Sequence, residues 1–337
     1  MNTYFSTFIS GTSEIVKDLL KDKLDKVNIN LLLDGLVVFE TDLPFTQVKN
    51  LRFFNNIFVL EKESKNIKLS DFIKEIVADI DIQKKLRDYI PKQLRTFRVV
   101  YSKQNQITSL DKPLIQRLEG FIGLGTRLKV DKVKPDIEFW ILERSEGNIF
   151  FGVRITKKLD TKLVLEQGEL RPELTNILCE LSEPKVADVF LDPFAGLGAI
   201  PIERATIENY KKIFASENSK VIYQKLAQKV KSLGLNVIVG KWNATKLGAV
   251  ADESVDKIVT DPPWGEFDKN INIGSLYEEF LNEAHRILKK DGILIVLSSR
   301  KELVEQILFK LKGKLKLECK FDILVSGKKA GIYKCVK

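Results

Sequence analysis

Asp192-Pro193-Phe194-Ala195-Gly196-Leu197-Gly198 and, about seventy residues on, Asp261-Pro262-Pro263-Trp264-Gly265 decide how the second half of this chain is read. Each stretch closes a run of apolar and β-branched residues, Val189-Phe190-Leu191 in the first case and Ile258-Val259-Thr260 in the second. Such a run, broken by Pro or Gly, is how a buried parallel strand stops at the carboxyl edge of its sheet. Open α/β sheets bind ligands at that edge. Two carboxylates, one beside a glycine turn and one beside a Trp, are therefore expected at one sheet edge. The first stretch reads as the holder of a methyl donor and the second as the holder of the amine that receives the methyl.

Working outward, strands and helices alternate from Val186 on. The predicted strands are 189–191, 213–216, 237–239, 258–260 and 293–297, with two more inside 315–325 and 332–336 joined by Ser326-Gly327-Lys328-Lys329-Ala330-Gly331. Strict alternation is the pattern of a doubly wound parallel sheet. A closing hairpin after five βα units points to the methyltransferase variant of that fold, so the fold class is α/β with a seven-stranded Rossmann-like sheet.

The glycine turn lets backbone approach a ligand while the next helix offers free N–H groups. Gly196 and Gly198 fit the first two glycines of a dinucleotide fingerprint, but Pro201 replaces the third, and the charge of Asp192 would repel a pyrophosphate. A carboxylate there suits the ammonium of a methionine moiety, so S-adenosylmethionine is the expected cofactor. Glu217, after the second strand, is placed to take ribose hydroxyls. After the third strand Asn243, followed by Ala244, is expected beside the adenine, offering its amide oxygen to the exocyclic amine.

At the acceptor stretch, Pro262 and Pro263 lack N–H groups and fix φ, giving a stiff loop with outward carbonyls. Asp261 and the Pro262 carbonyl can each accept one proton of an exocyclic amine, and Trp264 offers a π face for a base. Rate then comes from orientation, with no histidine needed; His285 is the only one in the chain.

The first half reads as α+β. Residues 4–9 form a strand, 14–26 a helix, and 29–33 and 36–40 a hairpin turning at Asp34-Gly35. Helical patterns recur over 68–94, and 96–101 is a strand. A helix is predicted over 111–121, then a hairpin of 137–142 and 149–155. Arg95, Arg98, Lys103, Arg117, Arg127 and Lys129 accompany this module and could grip phosphates. The net charge of +9 favours a polyanionic partner, although a merely soluble basic surface gives the same number. Cys179, Cys319 and Cys335 are too scattered for a disulfide framework or a zinc site, and no metal is expected. Neither a membrane span nor a secretory signal is legible, which points to the cytoplasm.

The ordered pair LDPFAGLGAIPIERA and TDPPWGEFD resembles the donor and acceptor motifs of the THUMP-domain RNA methyltransferases that modify guanine N2. YFSTFISGTSEIVKDLL is similar to that family's ferredoxin-like start, FRVVYSKQN with VDKVKPDIEFWILERSEGNIFFGVRI to its THUMP core, and GELRPELTNIL to the Arg-Pro segment ahead of the catalytic fold. The resemblance implies a ferredoxin-like domain over 1–65, a THUMP RNA-binding domain over 66–158, a linker over 159–185 and a Rossmann-like methyltransferase domain over 186–337. It implies S-adenosylmethionine held by Pro172, Asp192, Pro193, Phe194, Ala195, Gly196, Gly198, Glu217, Asn218, Asn243 and Ala244, with guanine held by Asp261, Pro262, Pro263 and Trp264. It further implies tRNA as the partner, bound by the acceptor arm and 3′ end; a monomer is expected. Glu217 and Asn243 stand where Asp is more usual in the family, and Trp264 where Tyr or Phe is common. Adenine-N6 methylation, an rRNA substrate, or an RNA-binding protein without turnover are the alternatives the motifs leave open.

Overall fold

The computed structural model describes residues 1–156, 169–265, 272–325 and 327–337. They divide into two compact units, one of residues 1–7 and 20–156, the other of residues 8–19 with the described residues from 169 on. No helix among the described residues is long and apolar enough to cross a membrane.

The amino-terminal strands are β1 (Asn2–Thr7), β2 (Val27–Leu33), β3 (Leu36–Thr41), β4 (Asn56–Lys65), β5 (Thr96–Lys103), β6 (Gln106–Thr108), β7 (Lys129–Val130), β8 (Ile137–Glu143) and β9 (Asn148–Arg154). Between them run α1 (Ser13–Lys23), α2 (Phe45–Val48), α3 (Leu69–Ala78), α4 (Ile80–Lys85) and α5 (Lys112–Thr126). The nine strands form one sheet, ordered β2-β3-β1-β4-β9-β8-β5-β6, with β7 on β5. Residues 1–65 and 66–158, read separately in the sequence, thus share a sheet, because β9 returns to pair antiparallel with β4. Gly152 makes that joint close: a Cβ there would lie 2.2 Å from the Val59 carbonyl oxygen and 2.7 Å from the Phe5 ring. Phe150 and Phe151, adjacent on β9, point to opposite faces. Phe150 joins Phe5, Phe58 and Trp140, while Phe151 joins Phe97, Phe139 and the inner sides of α3 and α5. Helix α5 runs past the predicted end at Phe121 to Thr126, because Ile122 and Thr126 are buried, and it closes on Arg127 at φ +64°.

The second unit holds α6 (Pro172–Leu181), β10 (Val189–Asp192), α7 (Ala199–Ile207), β11 (Lys212–Ser216), α8 (Lys220–Ser232), β12 (Val237–Gly240), β13 (Val255–Thr260), α9 (Ile273–Ile287), β14 (Leu288–Ser298), α10 (Lys301–Lys310), β15 (Lys316–Val325) and β16 (Lys328–Val336). Its seven-stranded sheet is ordered β12-β11-β10-β13-β14-β16-β15, parallel except where β16 enters antiparallel between β14 and β15. Helix α6, in the stretch the sequence sets apart as a connector, packs on α7, where the buried Asn176 Nδ2 donates to Glu203 Oε1 at 2.9 Å. Leu191, Ile258, Tyr277, Phe280, Leu294 and Val304 mark the core on one side of the sheet. The turn before α1 belongs here too. Gly11 lies so close to β15 that a Cβ would sit 1.9 Å from the Asp322 carbonyl oxygen.

Candidate active site

The chain steps outward from β10 to β11 and β12, then returns to the other side of β10 with β13. A crevice opens where the winding reverses. Asp192 ends β10, and Asp261 follows the last residue of its neighbour β13. Both line one cavity of about 590 Å³, a volume in the usual range for small-molecule sites.

Asp192 is buried, with Oδ1 accepting hydrogen bonds from Thr260 Oγ1 at 2.7 Å and the Phe194 N–H at 3.1 Å. Burial pushes its pKa up to about 7, against those two bonds, which favour the charged form. Asp261 keeps part of its surface accessible and accepts from Trp264 Nε1–H at 2.8 Å. Removal from water raises its pKa to about 8; the indole bond opposes the rise and the nearby Asp192 adds to it.

The acceptor loop is held from two sides. Tyr277 on α9 shares a 2.8 Å hydrogen bond with Ser298 Oγ and reaches the Pro262 carbonyl at 3.5 Å. Arg300 donates its backbone N–H to the same Ser298 Oγ at 3.0 Å and its Nε–H to the Trp264 carbonyl at 2.6 Å. Pro262 and Trp264 are thereby fixed by groups on α9 and at the end of β14.

On the donor side, Gly196 has φ +51° with no atom within 4 Å of where a Cβ would sit, so backbone is bare toward open space. Glu217 Oε1 accepts the Ser219 N–H at 2.7 Å, which caps the entry to α8, and Oε2 has no partner among the described residues. The Asn243 amide oxygen accepts from the Thr245 N–H and hydroxyl at 3.0 and 3.2 Å, closing its own turn at the cavity wall. Polar atoms short in sequence satisfy each other locally before any ligand arrives.

Of the sequence-predicted donor residues, Asp192 to Gly196, Glu217, Asn218, Asn243 and Ala244 line the cavity, as do Asp261 to Trp264. Pro172 and Gly198 do not: Pro172 opens α6 and Gly198 caps α7, where both shape helix starts. Glu169, Leu170, Trp242, Val325 and Lys328 also line it. Trp242 belongs to the stretch after the third strand that the sequence places beside the adenine, whereas the other four were not assigned to the site. His285 lies in the last turn of α9 and is not part of the lining.

The lining carries Glu169, Asp192, Glu217 and Asp261 against Lys328 alone. Glu169 is paired with Lys229 at 2.9 Å. Carboxyls raised by burial beside a bare glycine turn fit a cationic, phosphate-free ligand, whose positive charge would favour their ionised forms. S-adenosylmethionine, with its sulfonium and ammonium, meets that description.

In the first unit the six basic candidates separate. Arg98 forms an ion pair with the buried Glu138, which also binds Arg154 at 2.7 Å and the Trp140 indole at 3.0 Å. Lys103 pairs with Glu143 at 3.1 Å, and Arg95 Nη1 caps the carbonyls of Lys92 and Leu94. Arg117, Arg127 and Lys129 are exposed, with no side-chain partner among the described residues.

A family model described as UPF0020, RMKL-like, methyltransferase domain matches residues 160–321. The chain is 34% identical over 136 residues to a Methanothermococcus thermolithotrophicus protein named probable tRNA (guanine(10)-N2)-dimethyltransferase, covering 38% of this chain and 81% of that one. It is 23% identical to the Methanocaldococcus jannaschii tRNA (guanine(6)-N2)-methyltransferase, over 96% of this chain and 97% of the relative. Against the Mus musculus tRNA (guanine(6)-N(2))-methyltransferase THUMP3 the identity is 26% over 67% of this chain, which spans about half (49%) of that relative's length. Among solved structures, TrmN from Thermus thermophilus superposes with a TM-score of 0.75 at 18% identity over 100% of both chains, so the fold is shared throughout. This chain belongs to the family of tRNA guanine-N2 methyltransferases that carry an RMKL-like methyltransferase domain.

Proposed function

We propose that this protein transfers a methyl group from S-adenosylmethionine to the exocyclic N2 of a guanosine in tRNA. The observation that carries the reading is the shared cavity: the Asp192–Gly196 turn and the Asp261–Trp264 loop face one space at the switch point of the sheet. S-adenosylmethionine supplies an electrophilic methyl on a cationic sulfur. Asp192, the bare backbone at Gly196 and Glu217 would hold it, and the aromatic walls of Phe194 and Trp242 exclude water around it.

Asp261 has one oxygen on the Trp264 indole and a second, Oδ2, with no partner among the described residues. Oδ2 accepts one amine proton of guanine and the Pro262 carbonyl accepts the other, which aims the nitrogen lone pair at the methyl. Holding the amine in line lowers the barrier through orientation. Once the nitrogen carries its new bond, Asp261 is also the nearest base for the departing proton. Residues 66–158 would act as the THUMP RNA-binding domain, with Arg117, Arg127 and Lys129 gripping phosphates so that the acceptor arm and 3′ end are engaged. We place the enzyme in the cytoplasm as a monomer.

Nuclease digestion and mass spectrometry of tRNA methylated in vitro test the reading. N2-methylguanosine is expected, and N6-methyladenosine instead would overturn it. Asp261→Ala should abolish turnover while donor affinity, read by calorimetry, stays within a few-fold, because that carboxylate serves the acceptor. Wild-type activity in the variant would remove Asp261 from its role.

A further inference from the structure

The site as described holds a base and a donor, both through neutral or acidic groups, yet the substrate arrives as a polyanion. A nucleotide inserted into an acidic cavity brings a phosphate to its rim, and a cation there would offset the repulsion. Arg300 is not itself part of the lining, but it lies against Trp264 and Gly265, which are. It follows β14, it caps α10, and its guanidinium is exposed. Nε–H is committed to the Trp264 carbonyl at 2.6 Å, and Nη2 would lie 3.1 Å from a Cβ on Gly265, so the group rests flat against the end of the acceptor loop. Gly265 is itself at φ +74°, a conformation that keeps side chains away from this contact. No carboxylate among the described residues pairs with Arg300.

A guanidinium presents two separate donor edges in one rigid plane. With Nε–H holding the loop, the outer Nη1–Nη2 edge is left in the fork geometry that matches two phosphate oxygens. The geometry points to Arg300 as the ligand of a backbone phosphate flanking the target guanosine, and as the residue that joins RNA engagement to the placement of the Trp264 loop. The inference rests on the methyl-transfer reading above and adds a substrate contact to it. Lysine could supply the charge but not both edges, since its ammonium is a single point donor on a flexible stem.

The test uses the full-length protein and tRNA in which the modified nucleotide has been mapped. Arg300→Ala should raise KM for tRNA about tenfold, as loss of one charge-assisted contact does. The plot of log tRNA affinity against log salt should become shallower by about 0.7 to 0.9, one phosphate's share. Donor affinity, unchanged within twofold, certifies the fold. A methylphosphonate placed on either side of the target should cost the wild type a similar factor at one of the two positions and cost Arg300→Ala nothing further there. Arg300→Ala should also lower kcat through loss of the Nε–H bond to the Trp264 carbonyl, and Arg300→Lys should recover the salt slope while kcat stays at that lowered value. A wild type indifferent to both methylphosphonates, or a variant with lowered kcat and an unaltered salt slope, would overturn the phosphate role and leave Arg300 a support for the loop alone. If mapping returns a nucleotide other than guanosine, the methyl-transfer reading changes, and the phosphate test is run at that nucleotide.

Discussion

Asp261 and Asp192 both keep their protons to far higher pH than a solvated carboxyl, about 8 and about 7. In the role proposed for Asp261 the amine is held by a carboxylate, which requires the ionised form, so kcat/KM should fall as pH drops through about 8. The indole bond to Asp261 opposes the rise, so Trp264→Phe, which keeps a stacking face but loses the N–H, should move this acidic limb to higher pH. Coincident pH–rate profiles for the two proteins would show that the indole does not tune the carboxylate. The same shifts have a sign for stability. Folded pKa values above the unfolded value of about 4 mean that the native state binds more protons than the unfolded chain between pH ~4 and ~8. Their contribution is therefore fully present below that window and lost as pH rises through it. Urea melts of wild type and Asp261→Asn at several pH values should show the variant losing less stability toward alkaline pH.

At the scale of elements, β4 and β9 meet at a joint with no room for a side chain at Gly152. Gly152→Ala would drive a methyl into the Val59 carbonyl, and overpacking of this kind costs about 1 to 3 kcal/mol, to be read as a lowered urea midpoint. Strands ending at Asp192 and Asp261 were legible because apolar runs that break into Pro or Gly announce the edge of a sheet. The supports of the acceptor loop were not. Tyr277, Ser298 and Arg300 come from α9 and the end of β14, and their hydroxyls and guanidinium acquire meaning only once those elements flank β13. The ion pair of Arg98 was illegible for a similar reason. The residue looks like one more surface cation until parallel pairing of β5 with β8 sets it opposite Glu138, a register that spacing along the chain does not reveal. The turn bond of Asn243 to Thr245, by contrast, was within reach of local reasoning, because Asn two residues ahead of a free N–H commonly closes such a turn.

For the whole molecule, a net charge of +9 means long-range attraction to RNA whatever the site does. The exposed cations Arg117, Arg127 and Lys129, unpaired among the described residues, should carry part of it: changing all three to Glu ought to weaken tRNA binding at least tenfold at low salt, roughly what the loss of a few phosphate contacts gives, with donor affinity intact. Filter binding across a salt series would expose an unaltered slope if these residues do not meet phosphates. Finally, the β15–β16 hairpin that brings Val325 and Lys328 to the cavity also receives Gly11 against Asp322. Ribosomes add about 5 to 20 residues per second, so residue 11 waits roughly a quarter of a minute to a minute for its neighbour to be made. Until residues beyond 320 have emerged, the Gly11 turn has no β15 to pack against and the cavity lacks the part of its wall that Val325 and Lys328 supply.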